Sequence, residues 1–236
     1  MGPGESEALP LPPSPRVPPP PNRGDGSPPD FLEATWDAGR AIIRVGLDPW
    51  PPVSFYVPTR ETRFGPFRGA HGRDVPVLYG ADTRAGALSE TVFHDVPVRG
   101  AVRSVRYQDL AHRFLVEIVP QRSLRLADFT SRGLARIGID RREMIETGPG
   151  GYEVTARWSA AVHADPRDFD GITWVSRQDD QSHAVVLFGD RLDAERDLPA
   201  TTDDALLRLT SWEGFDTVAK LADQMGIVIT GLPGLA

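Results

Sequence analysis

In "PVLYGADTRAGALSETVFHDV", Pro76 to Val96, one acid, Glu90, stands among Ala87, Leu88 and Phe93. A carboxylate held in such surroundings could stabilise positive charge developing on a sugar, or orient its hydroxyls. Left unpaired there, it would be costly to bury. Other positions offer complementary chemistry: Arg44 in an apolar run, Arg63 in "TRFGPF", Tyr79 at the end of "VLY", and Ser176 with Arg177 in "DGITWVSRQ". Guanidinium groups grip phosphate oxygens through paired N–H donors. A tyrosine gives a face for stacking and a hydroxyl for hydrogen bonding. A serine could bond a ribose or help to hold Glu90. Each has a plainer alternative: an exposed helix charge for Glu90, a surface ion pair for each arginine, a core role for Tyr79, and a turn residue at Ser176.

Several other chemistries are excluded by pattern. There is no GxxxxGK[ST] phosphate loop, and "GPGGYE" lacks the strand that precedes a dinucleotide fingerprint, so it reads as a turn. No serine occupies a GxSxG elbow. The five histidines show no metal-binding spacing, and His94 and His163 read as helix-surface or packing residues. "DPRDFD" clusters three acids without the twelve-residue loop that holds calcium. Cysteine is absent, which removes disulfides, thiolate zinc sites and a cysteine nucleophile, and fits a cytoplasmic protein.

The elements that must position these residues can be read in outline. Asp30 is an N-cap for "FLEATW", and residues 40–47, "RAIIRVGL", form a strand. The prolines of "DPWPPVSFYVP" impose an irregular loop. "VPVLYGA" is a strand, and Asp82 or Thr83 caps the helix that carries Glu90 one turn in. Strands are expected at "RFLVEIVP", "SLRLADF", after a turn in "FDGITWVSRQ", and at "HAVVLFGDRL", the first apolar enough for both faces to be covered. "SRGLARIGIDRREMIE", "YEVTARWSAAVHA" and "DDALLRLTSWEGFDTVAKLADQMG" read as helices, the last ending at Gly226 before a short strand, "IVIT". Strands and helices mix without regular βαβ alternation, which predicts one α+β domain over residues 30–236 with mixed sheets and flanking helices. Residues 1–29, crowded with proline and glycine, cannot bury enough surface to offset their ordering entropy and read as a disordered leader.

Of 236 residues, 40 % are hydrophobic and 25 % charged, enough for a full core. No apolar run approaches the roughly 18 to 20 residues that span a bilayer. Lys220 is the only lysine, so basic side chains are almost all arginine. Between Arg99 and Arg142 ten arginines face four acids, a local +6 within a chain of net charge −7. Such a stretch could meet an anionic ligand, although ion pairs on a solvated face explain any one arginine more simply. Sparse aromatic interleaving and the acidic total argue against direct nucleic-acid binding.

The order "IIRVG", "RF", "VLYGADTRAGALSETVFH", "FDGITWVSRQ" resembles the RES domain family, named for an arginine, a glutamate and a serine. The likeness spans roughly residues 40–188, and "VLY.A.....AL.ET" is its most specific piece. The loop carries the "RF" form, not the "GRWN" of many toxin members. The resemblance implies a fold similar to ADP-ribosyltransferases. It also implies an enzyme that takes NAD+ as substrate, without a cofactor, and cleaves its nicotinamide–ribose bond by phosphorolysis or hydrolysis. Transfer to a protein is a further form of the same chemistry, and a catalytically silent binding module is the alternative. The usual partner of such proteins is an Xre-like antitoxin. Carried onto this chain, the likeness gives Glu90, Tyr79 and Ser176 catalytic roles. It gives Arg44, Arg63 and Arg177 substrate-binding ones, with Arg44 and Arg63 clamping the pyrophosphate.

Overall fold

Consecutive residues of the strand His183–Phe188 pack into different apolar clusters: Ala184, Val186 and Phe188 into one, Val185 and Leu187 into the other. A period of two with both sets buried means a sheet covered on both faces. The structure, a computed structural model, describes residues 18–20, 29–69, 71–97, 102–200 and 206–233. Its strands are β1 (Glu33–Trp36), β2 (Ile42–Leu47), β3 (Val77–Ala81), β4 (Ser104–Arg106), β5 (Arg113–Ile118), β6 (Leu124–Asp128), β7 (Gly171–Val175), β8 (His183–Phe188), β9 (Leu207–Arg208) and β10 (Val228–Thr230). Its helices are α1 (Arg84–Ser89), α2 (Ser131–Arg136), α3 (Arg141–Met144), α4 (Tyr152–His163) and α5 (Trp212–Gln224). Eight strands form one sheet in the order β1-β6-β7-β8-β3-β2-β5-β9, antiparallel except for β6 with β7; β4 and β10 make a separate parallel pair. This is the α+β architecture the sequence predicts, with helices flanking a large mixed sheet.

Three local expectations change. Asp30 does not cap a helix; it pairs with Arg136, and "EATW" is β1, drawn into the sheet edge by β6 while Trp36 buries in the core. Residues 131–146 are not one helix. Gly138, at φ +75°, ends α2, and Asp140 with Glu143 opens α3 as a capping box. Of the helix expected over residues 203–226, residues 203–205 lie outside the described residues; from residue 206 on, the helix begins only at Trp212, capped by Ser211, because Leu207 and Arg208 pair with β5 instead.

Pairing between β2 and β3 creates the site. Their only register pair is Ile43 with Ala81, so the strands part company beyond it and leave a gap. Gly80 allows the close approach at the crossing: a Cβ there would lie 2.4 Å from Ile42 Cγ2 and 3.0 Å from the Ile43 carbonyl oxygen. Arg44, one residue past Ile43, and Tyr79, two residues before Ala81, both line the cleft.

The expected disorder of the leader falls mostly outside the described residues. Pro18 is placed, and its carbonyl accepts a 2.8 Å hydrogen bond from the indole N–H of the fully buried Trp158. Deleting residues 1–29 orphans that donor. It is expected to lower stability by about 1 kcal/mol, seen as a reduced urea midpoint; an unchanged midpoint would remove the contact from the account. Among the described residues no helix is long and apolar enough to cross a membrane.

Candidate active site

Thr83, in extended conformation, opens α1 by accepting a hydrogen bond from the Gly86 N–H, and Glu90 closes it as the C-cap residue. Glu90 thus stands at the end of the helix, not one turn inside it. Its carboxylate is only 9 % exposed and accepts three hydrogen bonds. Ser176 Oγ and the Arg177 backbone N–H donate to Oε1 at 2.7 and 3.0 Å, and Arg63 Nη1 donates to Oε2 at 3.0 Å. Burial by itself would push the Glu90 carboxyl up. The Arg63 charge, the Ser176 and Arg177 donors and nearby His94 overcome it and hold the group below the ordinary glutamate range. Glu90 is therefore an anion throughout the neutral range.

The partners are braced in turn. Ser176 directly follows β7, its N–H donating to the Ser182 carbonyl and so closing the turn back to β8. From α3, Arg141 donates to the carbonyls of Val175 and Ser176 at 3.1 and 3.0 Å. Gln178 Nε2 donates to the carbonyls of Phe93, His94 and Val96, which pins the turn after Glu90.

The carboxylate forms part of the wall of a cleft of about 360 Å³, whose lining includes Arg44, Tyr56, Arg63, Tyr79, His94 and Tyr152. That volume lies within the range of small-molecule sites. Arg44 is 8 % exposed, donates to the Ser54 carbonyl at 2.6 Å, and has no carboxylate partner among the described residues. Burial lowers it to about 10, partly offset by Tyr56. It remains a cation at neutral pH, and an anion in the cleft would supply its missing counter-charge.

The predicted site residues thus separate into distinct places. Of the two expected pyrophosphate clamps, Arg63 is engaged by Glu90, whereas Arg44 is open to the cleft. Tyr79 lines the cleft, but its hydroxyl bonds Thr62 Oγ1 at 2.9 Å and accepts from the Phe64 N–H at 3.3 Å. Burial raises that hydroxyl above the usual tyrosine range, so it stays neutral and anchors the loop that bears Arg63. Ser176 is fully buried and holds Glu90. Arg177 turns its guanidinium onto the His94 carbonyl at 2.6 Å and reaches Glu90 only through its backbone. Ser176 Oγ and the Arg177 backbone N–H both bond the Glu90 carboxylate, and the Arg177 guanidinium is turned away from it.

His94, Tyr56, Tyr152 and Arg113 also line the cleft and were not singled out from the sequence as site residues. For His94 a signal existed, since it follows Glu90 by four residues. Tyr56 and Tyr152 arrive from a proline-rich loop and from the start of α4, and nothing local marks them.

A larger polar depression of about 1120 Å³ lies around His163 and Asp165. Its charged groups are already paired, through Arg122–Asp170 and Arg191–Asp168, and His163 lies within hydrogen-bond distance of Asp190. The chemistry of Glu90 is absent from it, so the smaller cleft is the candidate site. The arginine-rich stretch is likewise used internally: Arg103, Arg113 and Arg141 donate to backbone carbonyls, and Arg106, Arg122 and Arg136 pair with aspartates. Arg99 lies outside the described residues. Among the described residues no group of three or more His, Asp or Glu could hold a metal ion.

Comparison with known families finds that the model of the family described as RES domain matches residues 33–209. No curated protein and no solved structure gave a significant match.

Proposed function

The chain belongs to the RES domain family, and from that premise we propose that it degrades NAD+, cleaving the nicotinamide–ribose bond and passing ADP-ribose to water, phosphate or a protein side chain. The observation that carries this is Glu90, an ionised carboxylate fixed on the cleft wall by three donors from two separate segments, the loop that bears Arg63 and the turn after β7. As the glycosidic bond breaks, C1′ and the ring oxygen gain oxocarbenium character. A preorganised anion beside them stabilises the transition state more than the ground state. The poorly solvated wall strengthens that attraction. Such an activity suits the toxin half of a toxin–antitoxin pair, with an Xre-like antitoxin covering the cleft.

Incubation with NAD+, with and without phosphate, tests the proposal. Released nicotinamide supports it; NAD+ bound but left intact would make the chain a binding module. Arg44 supplies the phosphate-binding charge, so Arg44→Ala is expected to cost about 2 kcal/mol of NAD+ affinity, roughly thirtyfold by calorimetry. Unaltered affinity would place the phosphates elsewhere.

A further inference from the structure

Beside Glu90 the cleft holds a second group able to move a proton. His94 lines it with its side chain 22 % exposed. Its Nδ1 lies 2.8 Å from Asp95 Oδ1, and its Nε2 lies 3.4 Å from Arg63 Nη2. A guanidinium can only donate, so Nε2 is the accepting nitrogen and the ring proton sits on Nδ1, directed at Asp95. The backbone here is held too, since the His94 carbonyl accepts from Arg177 Nη2 and Gln178 Nε2. An imidazole lone pair therefore stands on the same wall as Glu90, separated from it by one guanidinium. At 3.4 Å the Arg63 contact is longer than an ordinary N–H hydrogen bond, so an acceptor molecule can displace it at little cost.

We propose that His94 is the general base that activates the acceptor, and that the acceptor is accordingly a neutral hydroxyl, water or an alcohol, not an anion. This rests on the NAD+-cleaving function proposed above. Nε2 takes the proton of the acceptor O–H, and the oxygen lone pair forms the new bond to C1′. The bond from C1′ to nicotinamide breaks, its electron pair remaining on the pyridine nitrogen and neutralising it. The imidazolium then returns its proton to solvent. Asp95, carrying the Nδ1 proton's hydrogen bond, stabilises the imidazolium. The other charged or titratable groups around the ring are Arg63, Glu90 beyond it, Arg177 after β7 and Tyr152 from α4, whose hydroxyl burial raises and so keeps neutral.

The test compares nicotinamide release in phosphate-free buffer by the wild type, His94→Asn, Asp95→Asn and Glu90→Gln, with and without azide. Azide attacks without losing a proton and needs no base. His94→Asn is expected to lose hydrolysis by at least about a hundredfold at unchanged NAD+ affinity, and azide to restore turnover. Asp95→Asn should lose less and respond to azide in the same way, whereas azide should not rescue Glu90→Gln. The Asp95 carboxylate is 94 % exposed, so that variant keeps the comparison valid even if His94→Asn does not fold. Wild-type hydrolysis by His94→Asn, or equal losses with water and azide, would overturn the proposal. So would a wild type that turns over only with phosphate, whose dianion needs no base. A wild type that releases no nicotinamide with any acceptor would sink the NAD+-cleaving function itself, and this inference with it.

Discussion

Glu90→Gln is expected to slow nicotinamide release at saturating NAD+ by a hundred- to a thousandfold, about 3 to 4 kcal/mol of transition-state stabilisation. The substitution keeps size and one accepting oxygen. Glutamine can still accept from Ser176 Oγ and the Arg177 N–H, the pair that meets Oε1. What it removes is the charge, and with it the attraction that grows only as the glycosidic bond breaks, so kcat should fall far more than NAD+ affinity. The structure adds a second effect. The amide –NH2 would meet Arg63 Nη1, donor against donor, where Oε2 now accepts. The variant should therefore also be less stable, while remaining folded at room temperature, since domains of this kind hold about 5 to 15 kcal/mol in reserve. Turnover is to be measured beside NAD+ calorimetry and a thermal melt. Wild-type turnover in a folded variant would remove Glu90 from the chemistry.

Arg63→Ala should produce the largest loss of stability, about 3 to 5 kcal/mol at pH 7, because it leaves a buried carboxylate without its counter-charge. Both side chains are nearly inaccessible, at 3 % and 9 % exposure. The loss should depend on pH in a definite direction. In the wild type the folded carboxyl lies below its unfolded value, so Glu90 contributes stability above the ordinary glutamate range and loses it as pH falls through the lowered value. Without Arg63, burial dominates and lifts the folded value above the unfolded one, so ionisation opposes folding. The difference between wild type and variant should accordingly widen as pH rises from about 4 to 7. Adding Glu90→Gln to Arg63→Ala should cost less than the sum of the two, since each removes what strands the other. Urea midpoints across that range decide the matter. A loss under about 1 kcal/mol at pH 7 would mean that solvent reaches the pair.

What the sequence by itself determined is local. The β-branched runs set β2, β3 and β8; Asp82 and Thr83 marked the start of α1, with the structure choosing Thr83 as its cap; and Gly226 set the end of the last helix, because residue propensity, capping and glycine's left-handed backbone act within a few positions. The motif carrying Tyr79 and Glu90 was legible for the same reason, lying within one strand–helix passage. "EATW" escaped local reading, since its strand conformation depends on β6, some 90 residues on. The division of labour among the arginines escaped it too. Arg44 and Arg63 look alike in sequence, and only the fold brings Arg63 to an acid 27 residues away while leaving Arg44 without one among the described residues. Ser176 and the Arg177 N–H reach Glu90 across 86 and 87 residues. Side-chain pairing in a buried wall depends on which strands meet and where β2 and β3 separate. That separation follows from the packing of the whole sheet, and it decides which charges are neutralised and which remain for a ligand.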